Sequence, residues 1–415
     1  MKPIPVLFLQ SQTFLGADSA LHAMLLRHFD RSEVSCHVAA NPDTSNVPDS
    51  DAFPRFQAIP DCRVLTTRFG PSVDGMSSRE KLRRTISQGH TVPLTLIRLA
   101  NYIRRNKIQI LHGTEKPRDA LYGTILGKLT GAKSVVHMHV NYGDWQSKAT
   151  KWALRNCDAI IGVSEYTAGS IVSAGFARER VFAVPNCFDA RPDVWDPNQS
   201  GLEVRRELGI APDAPVVGIV ARLFKWKGHA DLVEAMAKVR ETVPDVRLVI
   251  VGADDERAHG GKSFRSELEA RITELGMGQN VIFTGFRSDT PRMFSLFDVY
   301  AMPTWEEPWG MVFLEAAAMR KPSVAYRSGG VPEVVSDNES GFLVEPHDIT
   351  SLAGKITLLL KDRALRERMG DAALARVRHE FSPAQMCRNV LAVYRTTLGV
   401  HTTSSEKVYQ QRATI

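Results

Sequence analysis

The most constraining feature of this chain is an alternation of short apolar runs with stretches of helical periodicity, repeated from one end to the other. Strand-length runs fall at residues 4–10, 34–39, 63–67, 108–112, 134–139, 158–163 and 181–185, and again at 216–220, 247–251, 281–285, 299–302, 323–326 and 341–344. Helical patterns lie between and after them, at 20–29, 93–106, 229–240, 349–381 and 384–397. Parallel strands need a long crossover to return to the same edge, and a helix supplies it, so the pattern predicts an α/β chain built on parallel sheets. Pro185, Pro192 and Pro197, with Asp189, Asp193 and Asp196 among them, interrupt the alternation without any periodicity of their own. That stretch predicts a hinge, with one domain over 1–195 and a second over 201–381.

Composition removes several other classes. Of the 415 residues, 43% are hydrophobic and 24% charged, the balance of a folded globular chain rather than a disordered one. No apolar run approaches the ~18 residues of a membrane span. Lys2 alone precedes the first run and no small-residue cleavage site follows it, so no signal peptide is expected. The cysteines (Cys36, Cys62, Cys157, Cys187, Cys387) are odd in number, scattered and without metal-ligand spacing, which predicts a reduced, cytoplasmic protein. Net charge is +6, and residues 68–107 hold nine Lys or Arg against two Asp or Glu. This segment reads either as a solvated loop and helix face or as a surface for anionic lipid or an acidic acceptor. Nucleic acid is not expected, because no recognised binding module accompanies the charge. The tail over 401–415 is polar and expected to be disordered.

The richest stretch runs from 302 to 320. An apolar strand ends at Pro303, Pro308 restricts the loop, and Gly310 opens a run of strong helix formers. Helix-start amides have no partners within the helix, so those of Gly310, Met311 and Val312 suit a phosphate. Glu307 and Glu315 bracket that point, and a carboxylate accepts from a pair of hydroxyls such as a ribose diol. An amphipathic helix with solvated acids accounts for the same residues.

Weaker signals stand elsewhere. At the strand–helix junction 221–228, Arg222 and Lys227 lie with Gly228, a cluster suited to a diphosphate, although a solvated basic loop is the plain alternative. Gly16, between the first strand and first helix, is either a plain turn or a point of close ligand approach. His137 and His139 share one strand face, with His112 at the end of the preceding strand; His139 and the loop 141–145 are candidate ligand contacts because ligands bind at strand carboxyl ends in such sheets. The acidic residues 254–256 read as a polar surface loop rather than a metal site.

Together these residues resemble the retaining glycosyltransferases of family 4, whose GT-B fold sets two Rossmann-like domains face to face across a cleft. The resemblance covers residues 6–394. It is carried by the Glu-x7-Glu spacing of Glu307 and Glu315, by Arg222-Leu223 with Lys227-Gly228, by Ser164-Glu165, by 186–189, and by Gly329-Gly330-Val331-Pro332-Glu333. It implies that Arg222 and Lys227 neutralise the donor diphosphate as the glycosidic bond breaks. Glu315 would hold the ribose, Glu307 the donor sugar, and the amides at 310–312 the phosphate. It further implies that His139 sits by the donor sugar and Gly16 near the diphosphate and acceptor. The last helix, about 382–398, would cross back to the first domain. The chain departs from the family pattern at Leu15-Gly16, where two glycines are common, at Asn186-Cys187, where Asn-Gly is usual, and at Ala221, where glycine usually stands.

The resemblance implies a UDP- or GDP-linked sugar donor, with a saccharide, a lipid-linked molecule or a small-molecule hydroxyl as acceptor, in cell-surface polysaccharide or glycolipid synthesis. It implies no cofactor and no required metal, since two cations already face the diphosphate, and leaves room for peripheral contact with the inner face of an anionic membrane. A GT-B epimerase or hydrolase and a nucleotide-sugar binder without turnover are the competing readings; formation of product with an acceptor separates them.

Overall fold

The computed structural model describes residues 2–44, 51–70, 79, 83, 91–254 and 260–400. The basic piece expected over 79–84, the acidic residues 255 and 256, and the tail 401–415 lie wholly or largely outside these described residues. The chain divides into two compact units, Met1–Asn186 with Pro383–Ile415, and Cys187–Ser382.

Among the described residues the first unit holds a seven-stranded sheet, with β1 Ile4–Gln10, β2 Val34–Ala40, β3 Cys62–Thr66, β4 Ile110–Thr114, β5 Lys133–Met138, β6 Ala159–Gly162 and β7 Val181–Ala183 in the order β3-β2-β1-β4-β5-β6-β7. Every pairing is parallel, and β1 sits between β2 and β4 with Phe8 level with Val38 and His112. β4 is buried throughout and β1 from Val6 onward, which is why β1 reads as a nearly continuous apolar run rather than as an alternation. One layer of core gathers Leu7, Leu9, Leu99, Ile103 and Leu126, and another gathers Val136, Leu154, Ile160 and Ile171.

Helix Pro383–Thr397 completes this unit from the far end of the chain. It packs on helix Ala17–His28, and its Tyr394 hydroxyl lies 2.7 Å from His112 Nδ1. Arg395 reaches Glu33 at 2.9 Å.

Among the described residues the second unit holds a six-stranded parallel sheet, with β8 Val216–Val220, β9 Arg247–Val251, β10 Val281–Gly285, β11 Val299–Met302, β12 Ser323–Tyr326 and β13 Gly341–Val344 in the order β10-β9-β8-β11-β12-β13. Residues 187–195, read from sequence as the end of the first domain, pack here instead. Phe188 N donates to Phe381 O at 2.8 Å, and its ring meets Trp195 edge-on at 4.9 Å. The helical stretch expected over 349–381 is two helices, Ile349–Lys361 and Arg363–His379. Asp362 ends the first and caps the second by accepting from Leu365 N.

In both sheets the strand order reverses beside the first strand of the unit, between β1 and β4 and between β8 and β11. The loops leaving those strands at their carboxyl ends border the crevice where open α/β sheets take ligands.

Candidate active site

In the second unit the loops after β8 and β11 are sewn directly together. Gly228 has φ +78°, and a side chain there would bring a Cβ to 1.9 Å from Pro303 O, so only glycine lets the β8 loop run this close to the end of β11. Trp305 N donates to Trp226 O at 2.8 Å, and Thr304 Oγ1 donates to the same carbonyl at 3.1 Å. A third support comes from Asp231 in helix His229–Thr242. Its Oδ2 accepts from the Tyr326 hydroxyl at 2.8 Å and Trp305 Nε1 at 3.2 Å, and His347 Nδ1 lies 3.0 Å away.

On this frame Lys227 Nζ meets Glu307 Oε2 at 2.5 Å, with both side chains largely buried. The Lys227 ammonium also stands 4.1 Å from the centroid of the Trp226 ring. The peptide oxygen of Glu307 accepts from Gly330 N at 2.8 Å, and Gly329, at φ +58°, leaves no room for a Cβ, which would fall 2.2 Å from that same oxygen. The Gly-Gly at 329–330 therefore fixes the backbone that aims Glu307. Arg222 is exposed, its guanidinium 4.5 Å from the Phe224 ring centroid, and it has no carboxylate partner among the described residues.

Gly310, at φ +91°, turns the chain into helix Met311–Ala318, so the amides of Met311 and Val312 open that helix. Glu315 lies one turn further in. It is partly buried, with no hydrogen bond or ion pair to its carboxylate among the described residues, and burial pushes its pKa up to about 7. The buried Tyr300 phenol is raised well above its ordinary value by burial first, then by the charges of Glu315 and Glu307. The structure thus gathers Arg222, Lys227, Glu307, Gly310, Met311, Val312 and Glu315 at the reversal point of the second sheet.

Gly16 and His139 belong to the first unit, after β1 and β5. Gly16 precedes helix Ala17–His28 in ordinary extended geometry, and a Cβ there would meet Asp18 Oδ1 at 2.9 Å. The backbone N of His139 donates to Glu115 Oε2 at 3.2 Å. Its ring stacks on His137 at 4.5 Å and lies 5.5 Å from His22. Burial lowers the pKa of each of these three imidazoles, and that of His112 to about 3. Sequence reading found His112, His137 and His139 but missed His22, which enters from helix Ala17–His28, distant in sequence from all three. Asp231 was missed as well, since nothing about an acid in the first turn of a helix distinguishes it locally.

Two family models match this chain, Glycosyl transferases group 1 over residues 202–376 and Glycosyltransferase Family 4 over residues 23–191. The GDP-mannose-dependent alpha-(1-6)-phosphatidylinositol monomannoside mannosyltransferase of Mycolicibacterium smegmatis is 30% identical over 61% of this chain and 67% of its own length. The chain belongs to glycosyltransferase family 4. A D-inositol 3-phosphate glycosyltransferase of Stackebrandtia nassauensis is 34% identical over 44% of this glycosyltransferase, which spans only 42% of that relative's length. Among solved structures, Anabaena HepE in complex with UDP shares the fold with TM-score 0.74 at 23% identity, covering 94% of this chain and 98% of that one. The sucrose-phosphate synthase of Thermosynechococcus elongatus does so with TM-score 0.69 at 20% identity, covering 96% and 100%. The two Rossmann-like units of this glycosyltransferase are therefore those of the GT-B fold. Among its described residues no helix is long and apolar enough to cross a membrane.

Proposed function

We propose that this glycosyltransferase moves a sugar from a UDP- or GDP-linked donor to a hydroxyl of a saccharide, a lipid-linked molecule or a small molecule, with retention at the anomeric carbon. The observation that carries this reading is the Lys227–Glu307 pair at the reversal point of the second sheet, with the unpartnered Arg222 and Glu315 at the same strand ends. Glu315 is an acceptor without a donor, which suits ribose hydroxyls. Arg222 and Lys227 are cations for the diphosphate, and the amides at 311 and 312 a second anion contact. Because Lys227 already touches Glu307, the two mark the junction of phosphate and sugar, cation on one side and hydroxyl acceptor on the other. In the first unit, the proposed contacts are His139 to the donor sugar and Gly16 to the diphosphate or acceptor, supported by their places after β5 and β1.

In the reaction the acceptor oxygen bonds to the anomeric carbon as its bond to the diphosphate breaks, and the hydroxyl proton passes to the departing phosphate. Charge grows on that phosphate, and Arg222 and Lys227 stabilise it where it appears. With two cations so placed, the donor site needs no metal and no cofactor.

The M. smegmatis relative and a Corynebacterium glutamicum relative (29% identical over 70% of this chain) are named for GDP-mannose and phosphatidylinositol mannosides. They support an acceptor in glycolipid or cell-surface polysaccharide synthesis. Helix Thr91–Arg105 exposes Leu94 and Ile97 and carries Arg98, Arg104 and Arg105, as a contact with the inner face of an anionic membrane requires. Five free cysteines fit a reducing cytoplasm. Liposome sedimentation at low and high salt tests the membrane contact, and binding indifferent to salt and to anionic lipid removes it.

Calorimetric titration with UDP, GDP and ADP in EDTA tests the donor site. Binding of one uridine or guanosine nucleotide, lost in Glu315→Ala, is expected. No binding to any of the three would overturn the reading.

A further inference from the structure

The histidine cluster of the first unit is not explained by donor binding. A ring nitrogen from each of His22, His137 and His139 lies within 4.8 Å of the others, and His22 and His137 are completely buried. The Nε2 atoms of all three have no hydrogen-bond partner among the described residues. An imidazole nitrogen either donates or accepts, so three such atoms shut away from water leave three needs unmet whichever tautomers are chosen.

The opposite ring atoms of His22 and His137 are held. His22 Nδ1 is 2.6 Å from the side-chain amide of Gln10, which can turn its oxygen toward an Nδ1–H. His137 Nδ1 is 3.2 Å from His112 Nε2, and His112 Nδ1 is 2.7 Å from the Tyr394 hydroxyl. Outer partners on Nδ1 that leave Nε2 free to point inward are the usual support of metal-bound histidines. Charge agrees, because the buried carboxylates of Asp18 and Glu115 border the cluster. Glu115 bonds the backbone of His139, and Lys116 lies 3.7 Å from each acid.

We propose that His22, His137 and His139 form a binding site for a divalent transition metal of the zinc class, through three imidazole nitrogens with a fourth position left open. Nitrogen donors without thiolate or a full carboxylate shell favour zinc, cobalt, nickel or copper over magnesium or calcium. Tetrahedral geometry with bonds of about 2.0–2.1 Å needs nitrogens roughly 3.4 Å apart, so the rings close on the ion by shifts of about 1 Å or less. The site is built from residues of the first unit, whereas the cations assigned to the diphosphate belong to the second. Binding there engages the ring of His139, so a loaded site also competes with the sugar contact proposed for that residue.

The test is a titration of EDTA-stripped, dialysed full-length protein with cobalt(II) chloride, followed by visible absorption and by thermal melting. One cobalt per chain, intense tetrahedral bands, displacement by zinc and a rise in Tm are expected. His22→Gln and His137→Gln should each weaken cobalt binding at least tenfold and abolish the rise in Tm. Far-UV circular dichroism and a cooperative melt establish that each variant is folded; should one fail, the other and His139→Gln carry the comparison. Absence of tetrahedral bands and of any Tm shift in the wild type would overturn the proposal. So would binding that survives unchanged in the folded variants, which would locate the metal elsewhere.

Discussion

Lys227 and Glu307 stand 80 residues apart in sequence and meet at 2.5 Å, nitrogen to oxygen, between two loops that share hydrogen bonds and one glycine-only contact. The pair is mostly shielded from water, so neither partner is free to be lost at small cost. It also fixes the ammonium before any donor arrives, which is what stabilisation of a developing charge requires.

Lys227→Ala is therefore expected to lower turnover more than donor affinity. The loss of kcat should be about 10²–10³-fold, the usual effect of removing one fixed transition-state donor. Steady-state kinetics beside calorimetric donor binding check it. Equal losses in both would place Lys227 in ground-state binding alone.

The same pair predicts coupled stabilities. Lys227→Met alone leaves Glu307 without its cation and should destabilise the second unit. Adding Glu307→Gln should restore about 1–3 kcal/mol of that loss, as expected for contacting residues. Urea unfolding of the two single variants and the double variant measures the coupling; simple additivity would mean that the contact carries no energy.

Glu315 makes a prediction in pH. Its native pKa, about 7, lies above the ordinary 4.5, so the folded chain holds this proton more tightly than the unfolded one. That contribution to stability is complete below pH ~4.5 and is lost progressively as pH rises toward 7. Glu315→Gln should therefore gain up to about 3 kcal/mol relative to wild type at pH 8 and nothing near pH 4. Nucleotide binding should run the other way, strengthening from pH 6 to pH 8 as the carboxylate ionises, and Glu315→Ala should cost about 1–3 kcal/mol of it. A stability difference independent of pH would reject the raised pKa.

Gly329 and Gly209 form a matched comparison. Both have positive φ, but a Cβ at Gly209 meets nothing within 4 Å, whereas one at Gly329 strikes the peptide oxygen of Glu307. Gly209→Ala should cost only about 1 kcal/mol, the conformational part. Gly329→Ala should exceed it by at least about 1–2 kcal/mol and reduce turnover by moving Glu307. Chemical denaturation and kinetics on the two variants decide this, and equal costs would show that the loop gives way freely.

Much of the fold was legible because the central strands are buried on both faces and so appear as uninterrupted apolar runs, with Val216–Val220 and Val299–Met302 as plain examples. Glu315 and Gly310 were legible for a local reason: a glycine, helix formers and an acid at fixed spacing define a helix start. What could not be read were relations between distant segments. Nothing in sequence says that Lys227 touches Glu307, that Gly329 tucks beneath it, or that Asp231 holds Trp305 and Tyr326. The first limit of the second unit was misjudged because Phe188 and Trp195 lie in a proline-rich stretch, and only their packing partners, Phe381 and Phe294, show where that stretch belongs. His22 was hidden similarly, since a buried histidine in an amphipathic helix looks like any other core position.

Helix Pro383–Thr397 packs on segments made more than 350 residues earlier, and this has a consequence during synthesis. The first sheet leaves the ribosome early, yet the helix that covers Phe29 and bonds His112 and Glu33 is made only after the whole second unit, on the order of 10–40 s later. Until then the nascent amino-terminal half carries an open apolar face and an unbonded histidine, and so is a natural client for chaperones. Loss of residues 383–397 would thus damage the half of the protein that was translated first.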